Sequence, residues 1–239
     1  FNVGIGVSTL KANTTGDNNT ALGYEALKAN TGSQNTVIGS NAGLKNTTSS
    51  NNVFIGYFSG EENTTGFANI AIGSFSLQEN TASYANVAIG YQSMQDGNTN
   101  NGNTAIGYQA LKANTTGGIS VAIGYQALVA QTTGAANVAI GDRALATVTT
   151  AGSNTALGTQ ALRYNTTGGN GTAVGAYALD ANTTGDDNTA VGKAALSNNT
   201  TGAENTAVGK DSLVANTTAA NNTAVGKSAL QDNTTGTSN

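Results

Sequence analysis

Nine times the chain writes Asn-Thr-Thr in the same setting, at Asn13, Asn46, Asn63, Asn114, Asn165, Asn182, Asn199, Asn216 and Asn233. Asn-x-Thr is the acceptor pattern for N-glycosylation, which attaches a glycan to the side-chain amide nitrogen. Acceptors at one point of a repeat predict a line of glycans along one edge, with O-glycosylation of the Thr pairs as a variant. The same residues suit a turn for backbone reasons, because Asn folds back onto its own main chain. A second set, Tyr57, Tyr91, Tyr108 and Tyr125, recurs at one repeat position and forms a candidate contact column. Outward-facing phenols could bind sugars or pack against a neighbouring chain. Columns of Thr raise a third chemistry, the ordering of water on an ice-binding β-solenoid.

Catalytic chemistry is poorly supplied. With no His and no Cys, the usual general base, thiol nucleophile and soft metal ligands are missing. The acid pairs Glu61-Glu62 and Asp186-Asp187 sit in turn sequence and read as solvated charges. Gly168-Gly169-Asn170-Gly171 lacks the Asp that calcium-binding β-rolls place in every rung. Gly226-Lys227-Ser228 imitates the end of a phosphate loop, but Asn221 stands where its first Gly belongs and no helix is expected to follow. The expectation is a non-catalytic chain with no cofactor and no metal.

Charge and composition narrow the partners. The net charge of −4 comes from 9 basic and 13 acidic groups spread along the chain, with no basic patch for nucleic acid. No apolar run approaches a membrane span. The absence of Cys fits an extracellular or cell-surface setting. The chain begins at Phe1, which suggests processing or an excerpt of something longer, and neither end carries a recognisable cap, which suggests end-to-end stacking.

What must position these residues is a repeat. Fourteen copies of a phrase read most clearly as N-T-A-I-G-Y-Q-A-L-K-A-N-T-T-G start at residues 2, 19, 35, 52, 69, 86, 103, 120, 137, 154, 171, 188, 205 and 222. The step is 17 residues, except for 16 between Asn19 and Asn35. Position 4 of the repeat is Ile, Leu or Val in all fourteen copies and position 5 is always Gly. Position 9 is Leu in eleven copies and Met94 in one, while Gly43 and Gly60 break the column.

The phrase orders as strand, glycine, strand and turn. Seventeen residues are too few for two packed helices, and the recurring Gly and Asn-Thr-Thr-Gly would interrupt a longer one. The predicted fold is all-β, a parallel β-solenoid of fourteen 17-residue rungs forming one continuous domain over 1–239. Position 4 is expected inside, stacked over its own copies as a thread of core with position 9. Asn at position 1 is expected to form a ladder, and position 6 is expected to face outward. Two large aliphatics per rung make a thin core, and Ala at position 3 suggests a second buried face. Both point to lateral association of several chains.

Ser120-Val121-Ala122-Ile123-Gly124-Tyr125-Gln126-Ala127 reads S-V-A-I-G-x-x-A, and Asn86–Gly90 and Asn137–Gly141 come close to it. This resembles the recurring N-S-V-A-I-G-x-x-S/A of trimeric autotransporter adhesin heads. The resemblance runs through every rung, although Asn-Thr-Thr-Gly makes the turn longer than in that family. It implies a left-handed parallel β-roll and an intertwined homotrimer at the bacterial surface. The phrase is also similar to repeats of bacterial surface and tail-fibre-like proteins. The functional expectation is therefore an extracellular fibre, filament or surface adhesin acting through self-association, with glycans or a host or matrix surface as further partners. Ice binding is the alternative.

Overall fold

The computed structural model describes residues 1–97 and 99–239. The chain divides into two compact units, Phe1–Ile119 and Ser120–Asn239. The first holds β1 (Val3–Ile5), β2 (Thr20–Leu22), β3 (Thr36–Ile38), β4 (Val53–Ile55), β5 (Ile70–Ile72), β6 (Val87–Ile89) and β7 (Thr104–Ile106). The second holds β8 (Val121–Ile123), β9 (Val138–Ile140), β10 (Thr155–Leu157), β11 (Thr172–Val174), β12 (Thr189–Val191), β13 (Thr206–Val208) and β14 (Thr223–Val225). Within each unit every strand pairs in parallel with the next, each repeat position over the same position, as in Ala88 over Ala105 and Ala139 over Ala156. Each unit is thus a β-solenoid of seven rungs, and the described residues contain no helix.

Three-residue strands are too short to hold a sheet by themselves, so the rest of the rung is also laddered. The position 5 amide donates back to the position 4 carbonyl of the preceding rung, as Gly107 does to Ile89 at 2.8 Å. The position 9 amide donates forward instead, as Leu128 does to Ala144 at 3.0 Å. Alternating donors tie each rung to both neighbours and satisfy backbone groups that would otherwise be buried unpaired.

The interior differs from the sequence expectation. None of the fourteen position 4 aliphatics is buried: Leu22, Ile38, Ile140 and Leu157 are each exposed, and Ile89, Ile106 and Ile123 are half-buried. Position 3 points inward instead, and Ala88, Ala105, Ala122 and Ala139 have no exposed surface. Residues alternate faces along a strand, so once position 3 turns inward, positions 2 and 4 must both turn out. The interior is narrow. The Leu of position 9 and the small residue of position 8 reach across from the opposite wall, and Leu128 and Ala127 are fully buried there. An Ile at position 3 would compete with that Leu for space; an Ala does not.

Rungs β3 and β4 test this volume argument. There position 3 carries Val37 and Phe54, both fully buried. These are the rungs in which position 9 is Gly, and a Cβ on Gly60 would lie 2.8 Å from the Phe54 ring. The interruption of the Leu column is therefore a compensation: the large side chain moves from one wall to the other.

Position 5 has no such freedom. Gly90 has φ +132°, and a Cβ there would meet the Gly107 carbonyl oxygen at 2.4 Å. Only Gly allows one rung to lie on the next at this bend. Positions 7 and 9 also adopt left-handed φ with ordinary side chains, such as Gln126 at 53° and Leu128 at 52°. Each such residue costs about 1 kcal/mol or more, a cost offset by the ladders that pin it.

Two columns of buried Asn complete the rung. At position 1, Asn69 Oδ1 accepts the Asn86 amide at 3.0 Å, while Asn69 Nδ2 donates to the Ser83 carbonyl at 2.8 Å. The expected ladder is present, chiefly as side chain to backbone. The second column, at position 12, is the Asn of the Asn-Thr-Thr turn. Asn182 Nδ2 donates to Asn165 Oδ1, Asn199 to Asn182 and Asn216 to Asn199, each at 2.9 Å.

Candidate interaction surface

The Asn-Thr-Thr edge folds its chemistry inward. Asn46, Asn63, Asn114, Asn165, Asn182, Asn199 and Asn216 are buried, while Asn13 and Asn233 are half-buried. Asn63, Asn114 and Asn165 spend Nδ2 on the carbonyl three residues on, at Gly66, Gly117 and Gly168. In the folded rung these seven amides have no path to solvent for a glycan. The first Thr of the turn is engaged too. Thr64, Thr166 and Thr183 donate their hydroxyls to the carbonyls of Thr81, Thr183 and Thr200 at 2.8–2.9 Å. The edge is a fastening for the stack.

Position 6 faces outward, as expected: Tyr57, Tyr91, Tyr108 and Tyr125 are all exposed, between 42% and 49%. In the first unit, Tyr57, Tyr91 and Tyr108 join Phe58 and Phe75 of position 7 in one cluster. Phe58 and Phe75 stack at 6.0 Å, Tyr57 meets Phe75 edge-on at 5.4 Å, and Tyr91 stacks on Tyr108 at 5.5 Å. The two Phe were not singled out from sequence, although they stand directly beside the tyrosine column. Much of the ring face is used on other rings, so the cluster does not present a flat platform. Tyr125 belongs to the second unit, where the Arg143 guanidinium lies 5.1 Å from its ring centre. Farther along that unit the same corner carries Lys193, Lys210 and Lys227, and Asp211 pairs with Lys210 at 3.1 Å.

The acid pairs serve the stack. Glu62 accepts from Lys45 at 2.5 Å, Glu61 from Gln78 at 2.9 Å, and Asp186 from the Gly169 amide at 2.7 Å. The Glu62 carboxylate raises the Lys45 pKa, and Glu25 does the same for Lys28. Burial pushes the Asp96 and Asp180 carboxyls up, with Lys112 and Arg163 opposing.

The strand face is left. Positions 2 and 4 present Val53-x-Ile55, Ile70-x-Ile72 and Val87-x-Ile89 in the first unit, and Thr172-x-Val174, Thr189-x-Val191 and Thr206-x-Val208 in the second. No charged residue occurs at either position in any rung. The position 4 half of this surface is the half that hydrophobic patterning places in the core.

Comparison with family models, with curated proteins and with solved structures finds no match to this chain. The strand face therefore has to be read from its own chemistry. Among the described residues no helix is long and apolar enough to cross a membrane.

Proposed function

We propose that the chain is a non-catalytic structural segment of an extracellular fibre or surface adhesin, and that it works by lateral association with copies of itself through the strand face. The observation that carries this reading is the unbroken column of outward aliphatics at position 4. Covering a half-exposed Ile or Val is worth about 1 kcal/mol. Seven of them in one unit give on the order of 7 kcal/mol, comparable to the stability of a small domain. A charge-free surface repeating on every rung suits a partner that repeats on every rung, and a second copy does. The resemblance to autotransporter adhesin heads favours three copies about one axis at the bacterial surface.

Light scattering on the whole chain tests this. Oligomers are expected, and Ile89→Asp with Ile106→Asp should yield folded monomers. A wild-type chain that is monodisperse and monomeric overturns the reading.

One observation keeps ice binding as a second reading. The strand threonines Thr155, Thr172, Thr189, Thr206 and Thr223 form an in-register column whose hydroxyls make no hydrogen bond among the described residues. The first turn threonines Thr64, Thr166, Thr183 and Thr200, by contrast, give their hydroxyls to the next rung. If the strand column orders water, thermal hysteresis appears and is lost in Thr189→Tyr. No hysteresis in the wild-type chain removes the idea.

A further inference from the structure

The one departure from the 17-residue period lies beside a concavity. The rung starting at Asn19 lacks one turn residue, so its Asn30-Thr31-Gly32 replaces the usual Asn-Thr-Thr-Gly. Gly32 takes the place that Gly16 and Ser49 hold in the adjoining rungs. A Cβ on Gly16 would meet the Gly32 carbonyl at 2.0 Å, and one on Gly32 would meet the Ser49 carbonyl at 2.0 Å. The missing residue is thus the second Thr, at the tip of the turn. Next to this turn, across the first four rungs, runs a groove of about 690 Å³.

The walls of the groove combine apolar and charged side chains. Ala12, Ala29 and Leu44 form an apolar floor, and Lys11, Lys28 and Lys45 line it. Leu44 occupies a position that holds Lys in the two preceding rungs. Three of the chain's nine basic residues therefore gather in one groove of a protein whose net charge is −4. Lys28 is held by Glu25 at 2.8 Å and Lys45 by Glu62 at 2.5 Å. Lys11 has no ion pair among the described residues and is exposed. Lys28 and Lys45 are each neutralised by a carboxylate, so the charge left in the groove for an anion is that of Lys11.

We propose that this groove binds a carboxylated pyranose, a hexuronate or a sialic acid of a surface glycan. The C–H face of the ring lies on Ala12, Ala29 and Leu44, and its carboxylate is taken by Lys11 with Lys45 beside it. A carboxylate on a compact ring matches a shallow apolar floor with cations at its rim better than phosphate, which offers no apolar face. The choice of a sugar rests on the surface-display reading above. The groove lies within one unit and does not require association.

The test is titration of the whole chain with free N-acetylneuraminic acid, with glucuronate and with glucose, read by calorimetry or saturation-transfer NMR. Either acid should bind at least tenfold more tightly than glucose, and the stronger of the two identifies the source. Lys11→Gln with Lys45→Gln should reduce that binding at least tenfold. Inserting a Thr after Thr31 restores a 17-residue rung without altering any lining residue, and should reduce binding similarly with the circular dichroism unchanged. Acids binding no better than glucose, or the lysine variant binding as well as the wild type, overturns the proposal. Light scattering on the same samples separates this from the assembly reading, because the lysine variants leave the oligomer mass unchanged and Ile89→Asp leaves the sugar titration unchanged.

Discussion

The strand face and the Asn-Thr-Thr edge use similar residues to opposite ends. Both carry Thr columns and both recur on nearly every rung. On the edge, Thr200 gives its hydroxyl to the Thr217 carbonyl at 3.0 Å, and the neighbouring Asn199 is buried with its amide spent twice. On the strand face, Thr189 and Val191 offer a hydroxyl and two methyls to solvent with nothing bound to them. One wall closes the stack on itself; the other leaves chemistry for something outside. Residue type alone does not mark a surface as functional in a repeat protein. What matters is whether the next rung already uses its groups.

Substitutions can break that contrast at several levels. The largest effect is expected at the bend joining the two halves of the rung. Gly90→Ala adds a Cβ 2.4 Å from the Gly107 carbonyl oxygen at φ +132°, and should cost about 4 kcal/mol from strain and overpacking together. Chemical denaturation of the purified variant measures it. Next comes the edge. Asn199→Ala removes bonds to Gly202 and Asn182 and takes one of two acceptors from the Asn216 amide, a loss of about 3 kcal/mol visible as a lower midpoint in urea.

The direct contrast is between two Thr→Val changes. Thr200→Val deletes a bonded donor and should cost about 1 kcal/mol, whereas Thr189→Val on the strand face should change stability by less than about 0.5 kcal/mol. Equal losses from the two variants would mean that the walls are not different in kind.

The smallest effect is electrostatic. Burial raises the Asp180 pKa in the folded chain, so the folded state holds that proton more tightly than the unfolded one. The resulting stability is complete below the ordinary carboxylate pKa and fades as pH rises through the raised one. Asp180→Asn should flatten this decline in thermal melts between mildly acidic and neutral pH, and an unchanged slope would show that the group does not contribute.

Much of this architecture is legible in the residues. An invariant Gly at position 5, Leu at position 9 and a turn phrase every 17 residues permit few folds besides a parallel solenoid. The outward setting of position 6 also follows from the pattern. The inward face of the strand does not. In Val121-Ala122-Ile123 the flanking residues are the more hydrophobic, and hydrophobicity places them inside. The same limit hides the Phe54–Gly60 exchange, since two residues six apart look like unrelated irregularities until the walls they belong to face each other. The burial of the Asn-Thr-Thr asparagines is hidden for a related reason: a turn motif says where the chain bends, but not that its Asn lies beneath the neighbouring rung.

By itself, then, the sequence determined the rung, its period and the residues that every copy must share, because backbone geometry and stacking impose those on each repeat independently. Only the tertiary structure decided which face of a three-residue strand turns inward. That choice depends on the width left by the opposite wall, and here the wall supplies the Leu and leaves space for an Ala. The aliphatic column that reads as core is in consequence the surface through which we propose the chain associates.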